Sequence, residues 1–155
     1  MASTARVCAL RMLAQRRLTE AQLWQRLGRR GYSDEDVRSA VERCKLDGYV
    51  DDALFARLYV EQKRKDVGDV RLIGELVRKG IDRHAACAVV QSTDNGEDER
   101  ADRAVQKLFR TKPELGYPSA ARALERLGFP ASLIYRKLRE HAAAFGPFAS
   151  ELAAE

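Results

Sequence analysis

The side chains able to do covalent or metal chemistry are few and scattered. Histidine occurs only at His84 and His141, and neither has a serine or cysteine partner at a spacing that marks a nucleophile and its base. Cys8, Cys44 and Cys87 are an odd, widely separated set with no CxxC, so they outline neither a disulfide framework nor a zinc site. Their apolar helical surroundings predict buried thiols. Asp94, Glu97, Asp98 and Glu99 form an acidic cluster. The alternating ligand spacing of a calcium loop is missing, so the cluster reads as a solvated linker followed by a charged first helical turn. No phosphate-binding GxxxxGKS/T, no GxGxxG and no HExxH is present. The expectation is a binding protein rather than an enzyme, with no catalytic residue, no metal and no cofactor.

Positive charge is what recurs. Basic groups stand at Arg16-Arg17, Arg29-Arg30, Lys63-Arg64-Lys65 and Arg78-Lys79. The chain carries a net charge of +5 and a pI near 9.3, which suits an anionic partner such as nucleic acid or an acidic protein surface. Two physical accounts compete. The basic groups form a contact face, or they sit at helix C-termini, where cations meet the negative end of the dipole. The dipole alone explains each pair, but recurrence beside every turn favours a shared face.

The elements that would position these groups are helices. Glycine and proline are sparse in the 155 residues, and Ala, Leu, Arg and Glu outnumber the β-branched types. Three stretches repeat: LGRRGYSDEDV, LVRKGIDRHAA and LERLGFPASLI. Their glycines, Gly31, Gly80 and Gly128, lie 49 and 48 residues apart. Four residues before each glycine is a leucine: Leu27, Leu76 or Leu124. Four earlier stand Leu23, Leu72 and Ala120. Tyr32, Ile81 and Phe129 follow the glycines directly. Six and ten residues on come Val37 and Val41, Ala86 and Val90, Ile134 and Leu138.

Leucines four apart stack on one helix face. Glycine supplies the left-handed position that stops the helix, and the next apolar residue folds back on the last turn. Ser33 or Asp82 then caps a second helix, and Pro130 suits a first turn. A further helix precedes each pair. The first spans roughly Ala5 to Arg16, with Val7, Leu10 and Leu13 on one side; Thr19 and Gln22 form a capping box for its successor. The second spans roughly Asp52 to Lys65, anchored by Leu54, Phe55, Leu58 and Tyr59, with Asp51-Asp52 as capping residues. The third spans roughly Glu97 to Phe109, with Ala101, Val105 and Leu108. Phe55 and Tyr59 are assigned to the core, and Trp24 to packing against a neighbouring helix.

The predicted fold is all-α: three tandem three-helix modules at residues 1–50, 51–93 and 97–145, forming an elongated, curved array. A polar link at Ser92 to Gly96 reads as a hinge, and the tail at 146–155 is expected to fray. No apolar run approaches membrane-spanning length, and the first residues lack a signal peptide's apolar stretch and cleavage site. The expected location is the cytoplasm, as a monomer.

The chain resembles the RecX family of regulators of the RecA recombinase. The matching residues are AL-x2-LA-x-R from Ala9 to Arg16, T-x3-L-x3-L-x3-GY from Thr19 to Tyr32, DD-x2-FA-x2-YV-x3-R from Asp51 to Arg64, G-x2-RLI-x-EL-x2-KGI from Gly68 to Ile81, and LGF in the third module. The block from Asp51 to Ile81 is the specific part. One departure is Arg126-Leu127-Gly128-Phe129, where similar proteins more often carry two basic residues before Gly-Phe. The resemblance implies binding in the helical groove of a RecA–DNA filament. It also implies limits on filament growth, ATPase, strand exchange and co-protease activity. It adds weight to Lys63, Arg64, Arg71 and Lys79 as partner contacts, beside Arg29 and Arg30.

Two other functions compete. One is direct DNA binding through helix-turn-helix-like modules. The early turns of a reading helix should offer Arg, Asn or Gln. Here the first module offers Ser33-Asp34-Glu35-Asp36, which repels phosphate, so only weak, salt-sensitive, non-specific DNA affinity is expected. The other is a generic helical adaptor.

Overall fold

The computed structural model describes residues 3–92 and 96–145. Asp94, most of the polar link and the tail from Gly146 lie outside the described residues. Among the described residues the chain is all-helical, with nine α-helices and no strand. These are α1 (Ala5–Gln15), α2 (Glu20–Arg29), α3 (Asp34–Leu46), α4 (Asp52–Lys63), α5 (Asp69–Arg78), α6 (Arg83–Gln91), α7 (Glu97–Thr111), α8 (Tyr117–Arg126) and α9 (Ala131–Phe145). A single 3-10 turn, Arg64–Asp66, follows α4.

The repeated glycines are helix stops. Gly31, Gly80 and Gly128 have φ of 90°, 93° and 92°. After α5 the Ile81 N–H donates to the Leu76 carbonyl at 3.0 Å and the Gly80 N–H to Val77 at 3.0 Å, the two bonds of a Schellman stop. After α8 the Phe129 N–H reaches Leu124 at 3.3 Å and Gly128 reaches Glu125 at 2.9 Å. The following helix is then capped: Ser33 Oγ accepts from the Asp36 N–H at 3.2 Å, and Asp82 from Ala85 at 3.1 Å. The repeated apolar columns are the core. Leu23, Leu27, Leu72, Leu76, Ala120 and Leu124 are buried, as are Val37, Val41, Ala86, Val90, Ile134 and Leu138. Each such leucine contributes roughly 2 kcal/mol by leaving water.

Several expectations shift in detail. On α1 the buried face is Ala5, Cys8 and Ala9, while Val7 is 40% exposed; small residues there allow the close approach of α3. On α4, Ala56 and Val60 are buried, Phe55 and Tyr59 are half-buried, and Leu58 is exposed. Cys8 and Cys44 are buried, but Cys87 is half-buried. Pro130 stands one residue before α9, where its carbonyl accepts from the Ile134 N–H at 3.0 Å; the proline inside a first turn is Pro118. The α-helix α4 gives way after Lys63 to the 3-10 turn, where the Lys65 carbonyl accepts from Arg103 Nε at 3.0 Å and the Asp66 carboxylate pairs with Lys107 at 3.2 Å.

The chain forms two compact units. The first joins Met1–Tyr59 to Glu75–Val89, and the second joins Val60–Gly74 to Val90–Glu155. The first has a core built from α1, α2 and α3, onto which Leu10, Met12, Leu13, Trp24 and Tyr32 pack. The second has a core from α7, α8 and α9.

Candidate partner-binding surface

In the first unit the N-terminus of α2 is held from two directions. Thr19 caps α2, accepting from the Gln22 N–H at 3.1 Å while the Gln22 side chain returns the bond to the Thr19 N–H. The same hydroxyl donates to the Lys79 carbonyl at 2.5 Å, in the turn that ends α5. One residue on, the Glu20 N–H donates to Asp52 at 2.9 Å, from the first residue of α4. Asp51, not Asp52, caps α4 itself, through the Leu54 N–H at 3.0 Å. A methyl group on Gly80 would overlap Ala21.

The second unit repeats the scheme with other groups. The Gly68 N–H, just before α5, donates to the Leu127 carbonyl at 2.8 Å, in the turn that ends α8. The Asp69 N–H donates to Glu97 at 2.9 Å, from the first residue of α7. A methyl group on Gly68 would overlap the Gly128 carbonyl, and one on Gly128 would stand 2.6 Å from the Arg71 nitrogen. Here the first helical residue also holds a buried cation: Asp69 pairs with Arg100, whose guanidinium donates to the Val67 carbonyl at 2.7 Å.

The basic residues fall on both units. In the first, Arg29 and Arg30 are exposed at the end of α2. Lys79 is half-buried, its ammonium 5.3 Å from the centre of the Tyr59 ring. The Tyr59 hydroxyl donates to Glu75 at 2.5 Å, and its ring stacks on Phe55 at 6.3 Å. In the second, Lys63 is exposed at the end of α4, and Arg64 opens the 3-10 turn. Arg71 is exposed on α5, with Nη1 3.4 Å from the Arg126 carbonyl. Lys79 and Arg71 therefore also serve the fold.

Sequence reading passed over two buried cations, Arg100 and Lys137. Both stand in apolar columns, Arg100 four before Ala104 and Lys137 four after Leu133, which is the signal that could have found them. Burial works against the Lys137 ammonium, but Asp102 at 2.8 Å and Asp98 at 2.6 Å outweigh it and hold its pKa above the ordinary lysine value. The Lys137 hydrogen bond in turn holds Asp98 below the ordinary carboxylate value. Burial pushes Glu97 up and His141 down. His141 stacks on Phe109 at 4.1 Å with the Tyr117 hydroxyl 3.3 Å from Nδ1, and His84 is exposed. Among the described residues no cluster could hold a metal ion, and no helix is long and apolar enough to cross a membrane.

Repeated helix pairs closed by glycine stops, with the second helices α2 and α5 each held at the N-terminus by a later turn, define a helical-repeat protein. Residues 5–44 match the first three-helix domain of RecX, and residues 51–90 match the second. The regulatory protein RecX of Thermobifida fusca is 33% identical over 152 residues, covering 92% of this chain and 80% of that protein. That of Deinococcus radiodurans is 34% identical over 148 residues, covering 92% and 71%. That of Mycobacterium avium is 36% identical over 109 residues, covering 68% and 63%. The chain belongs to the RecX family, and its role is regulatory. The crystal structure of RecX from Lactobacillus salivarius shares the fold, with a TM-score of 0.74 at 19% identity over 88% of this chain and 93% of that one.

Proposed function

We propose that this protein regulates the RecA recombinase by lying in the groove of the RecA–DNA filament, where it limits filament growth, ATP hydrolysis, strand exchange and co-protease activity. Membership of the RecX family carries this reading. A tandem series of similar units suits it physically, because repeated modules meet a repeating partner and linked weak contacts gain avidity. The three modules at 1–50, 51–93 and 97–145 are the units of contact, and the protein works as a cytoplasmic monomer that binds without catalysis. Lys63, Arg64, Arg71 and Lys79, with Arg29 and Arg30, are the proposed contacts to acidic RecA surface or to phosphate. Exposure of Arg29, Arg30, Lys63 and Arg71 supports this assignment.

The test is RecA-dependent ATP hydrolysis on single-stranded DNA with the full chain titrated in. Inhibition at substoichiometric ratios is expected; no effect at any ratio sinks the reading. Replacing Lys63, Arg64, Arg71 and Lys79 together by alanine should weaken inhibition with helicity preserved. Unchanged inhibition would reduce the four to a solvated face. Gel shifts on bare DNA should show weak binding that salt abolishes.

A further inference from the structure

The second helices α2, α5 and α8 occupy the same place in the repeat, yet among the described residues only α2 and α5 receive a later turn. Counting back from the glycines, Glu20, Ala21, Trp24 and Gln25 of α2 correspond to Tyr117, Pro118, Ala121 and Arg122 of α8. In the first unit those α2 residues line a hollow with Asp52 and Gly80, the carboxylate and the turn that hold the helix. In α8 the corresponding four residues line a groove of about 890 Å³ shared with α9. Its floor is apolar, made by Phe129, Ile134 and Leu138 of the core, and Tyr135 stands 59% exposed at its edge. The N-cap of α8 is Gly116, which has no side chain to give the helix start.

Charge says what the groove accepts. Arg122 and Arg139 line it and both are exposed; Arg122 leans on Ser119 at 3.2 Å and Arg139 on the Tyr135 carbonyl at 3.3 Å. Glu125 is the one acid among the lining residues. The positive end of the α8 dipole adds to the arginines. At both filled positions the incoming groups are a carboxylate opening one helix and a carbonyl closing another. A second copy of this chain fits poorly. Its first module opens with Ala5, without a carboxylate, and its first turn would bring Arg29 and Arg30 toward Arg122 and Arg139. A nucleic-acid strand fits poorly too, since the floor is apolar.

We propose that the α8–α9 groove is a docking site for an acidic amphipathic helix of the partner protein, whose carboxylates meet Arg122 and Arg139 and whose apolar face covers Tyr135. The site deepens the proposed RecA regulation and rests on it. None of its lining residues is among the six basic residues named above.

The experiment titrates the full chain and its variants into RecA hydrolysing ATP on single-stranded DNA. Arg122→Glu/Tyr135→Ser/Arg139→Glu should need about ten-fold more protein for half inhibition, since interface charge reversal and loss of an aromatic anchor each weaken docking. Arg122→Lys/Arg139→Lys should stay within about two-fold, since charge is kept at an exposed rim. All the changed residues are exposed, and circular dichroism checks the fold. Should the triple variant lose helicity, Arg122→Glu alone takes its place, with an expected loss of about three-fold. Inhibition by the charge-reversed variant at the wild-type concentration overturns the proposal. So does a parallel loss of affinity for bare single-stranded DNA, which would make the groove a nucleic-acid site. Wild-type protein without any effect overturns the RecA reading itself, and the groove assignment with it.

Discussion

The N-termini of α2 and α5 solve one problem with different chemistry. A helix start leaves backbone N–H groups without partners inside the helix. At α2 the cap is local and complete: Thr19 and Gln22 form a capping box, and Thr19 has a hydroxyl proton left to hand to Lys79. At α5 the corresponding residue is Gly68, and the bare backbone approaches the Leu127–Gly128 turn directly. The side chain at α2 acts as a spacer; its absence at α5 lets two backbones touch. The two carboxylates that complete the arrangement, Asp52 and Glu97, both come from the first residue of a later helix. A repeat can thus keep its geometry while exchanging a hydroxyl for a backbone amide.

This difference can be broken at its most rigid point first. Gly68→Ala should be the most damaging change, about 3 kcal/mol or more, because the new methyl meets backbone that cannot rotate away. A thermal midpoint within error of wild type would show that α5 does not approach Gly128. Gly80→Val comes next, at about 2 kcal/mol, combining a left-handed backbone with an overlap on Ala21. Gly31→Val shares the backbone but meets nothing within 4 Å, so about 1 kcal/mol is expected. Denaturant midpoints for the pair isolate the contribution of the contact; equal losses would mean that the turn alone matters.

Thr19→Val keeps the shape at α2 and removes both roles of the hydroxyl, for about 1 kcal/mol. The matching change at α5 is electrostatic. Burial holds the pKa of Glu97 above that of an unfolded glutamate. Its contribution to stability is therefore present below the ordinary glutamate pKa and is lost as pH rises through the folded value. Glu97→Gln keeps an acceptor for the Asp69 N–H and should flatten the mildly acidic limb of the stability curve relative to wild type. Parallel curves for the two proteins would remove Glu97 as the cause.

Much of this was legible in advance because it is periodic. Leu23, Leu27, Gly31, Tyr32, Val37 and Val41 recur in later copies, and helix geometry turns that spacing into a buried face and a stop. The basic residues were legible only as types. Arg29 and Lys63 stand exposed as charge alone suggests, whereas Lys79 lies along Tyr59 and Arg71 backs onto Gly128. Local rules miss this because those neighbours are 20 and 57 residues away in the chain.

The sequence by itself determined the helices, their stops, the core columns and the family, since each depends on residues within about a turn of one another or on a repeated pattern. Only the tertiary structure decided which turn meets which helix start. It showed that Asp52 serves α2 rather than α4, that Arg100 and Lys137 are buried cations, and that α8 and α9 line a groove. Such pairings join groups dozens of residues apart through single hydrogen bonds. A hydrogen bond leaves no periodic trace in the chain; it appears only when packing brings donor and acceptor within about 3 Å.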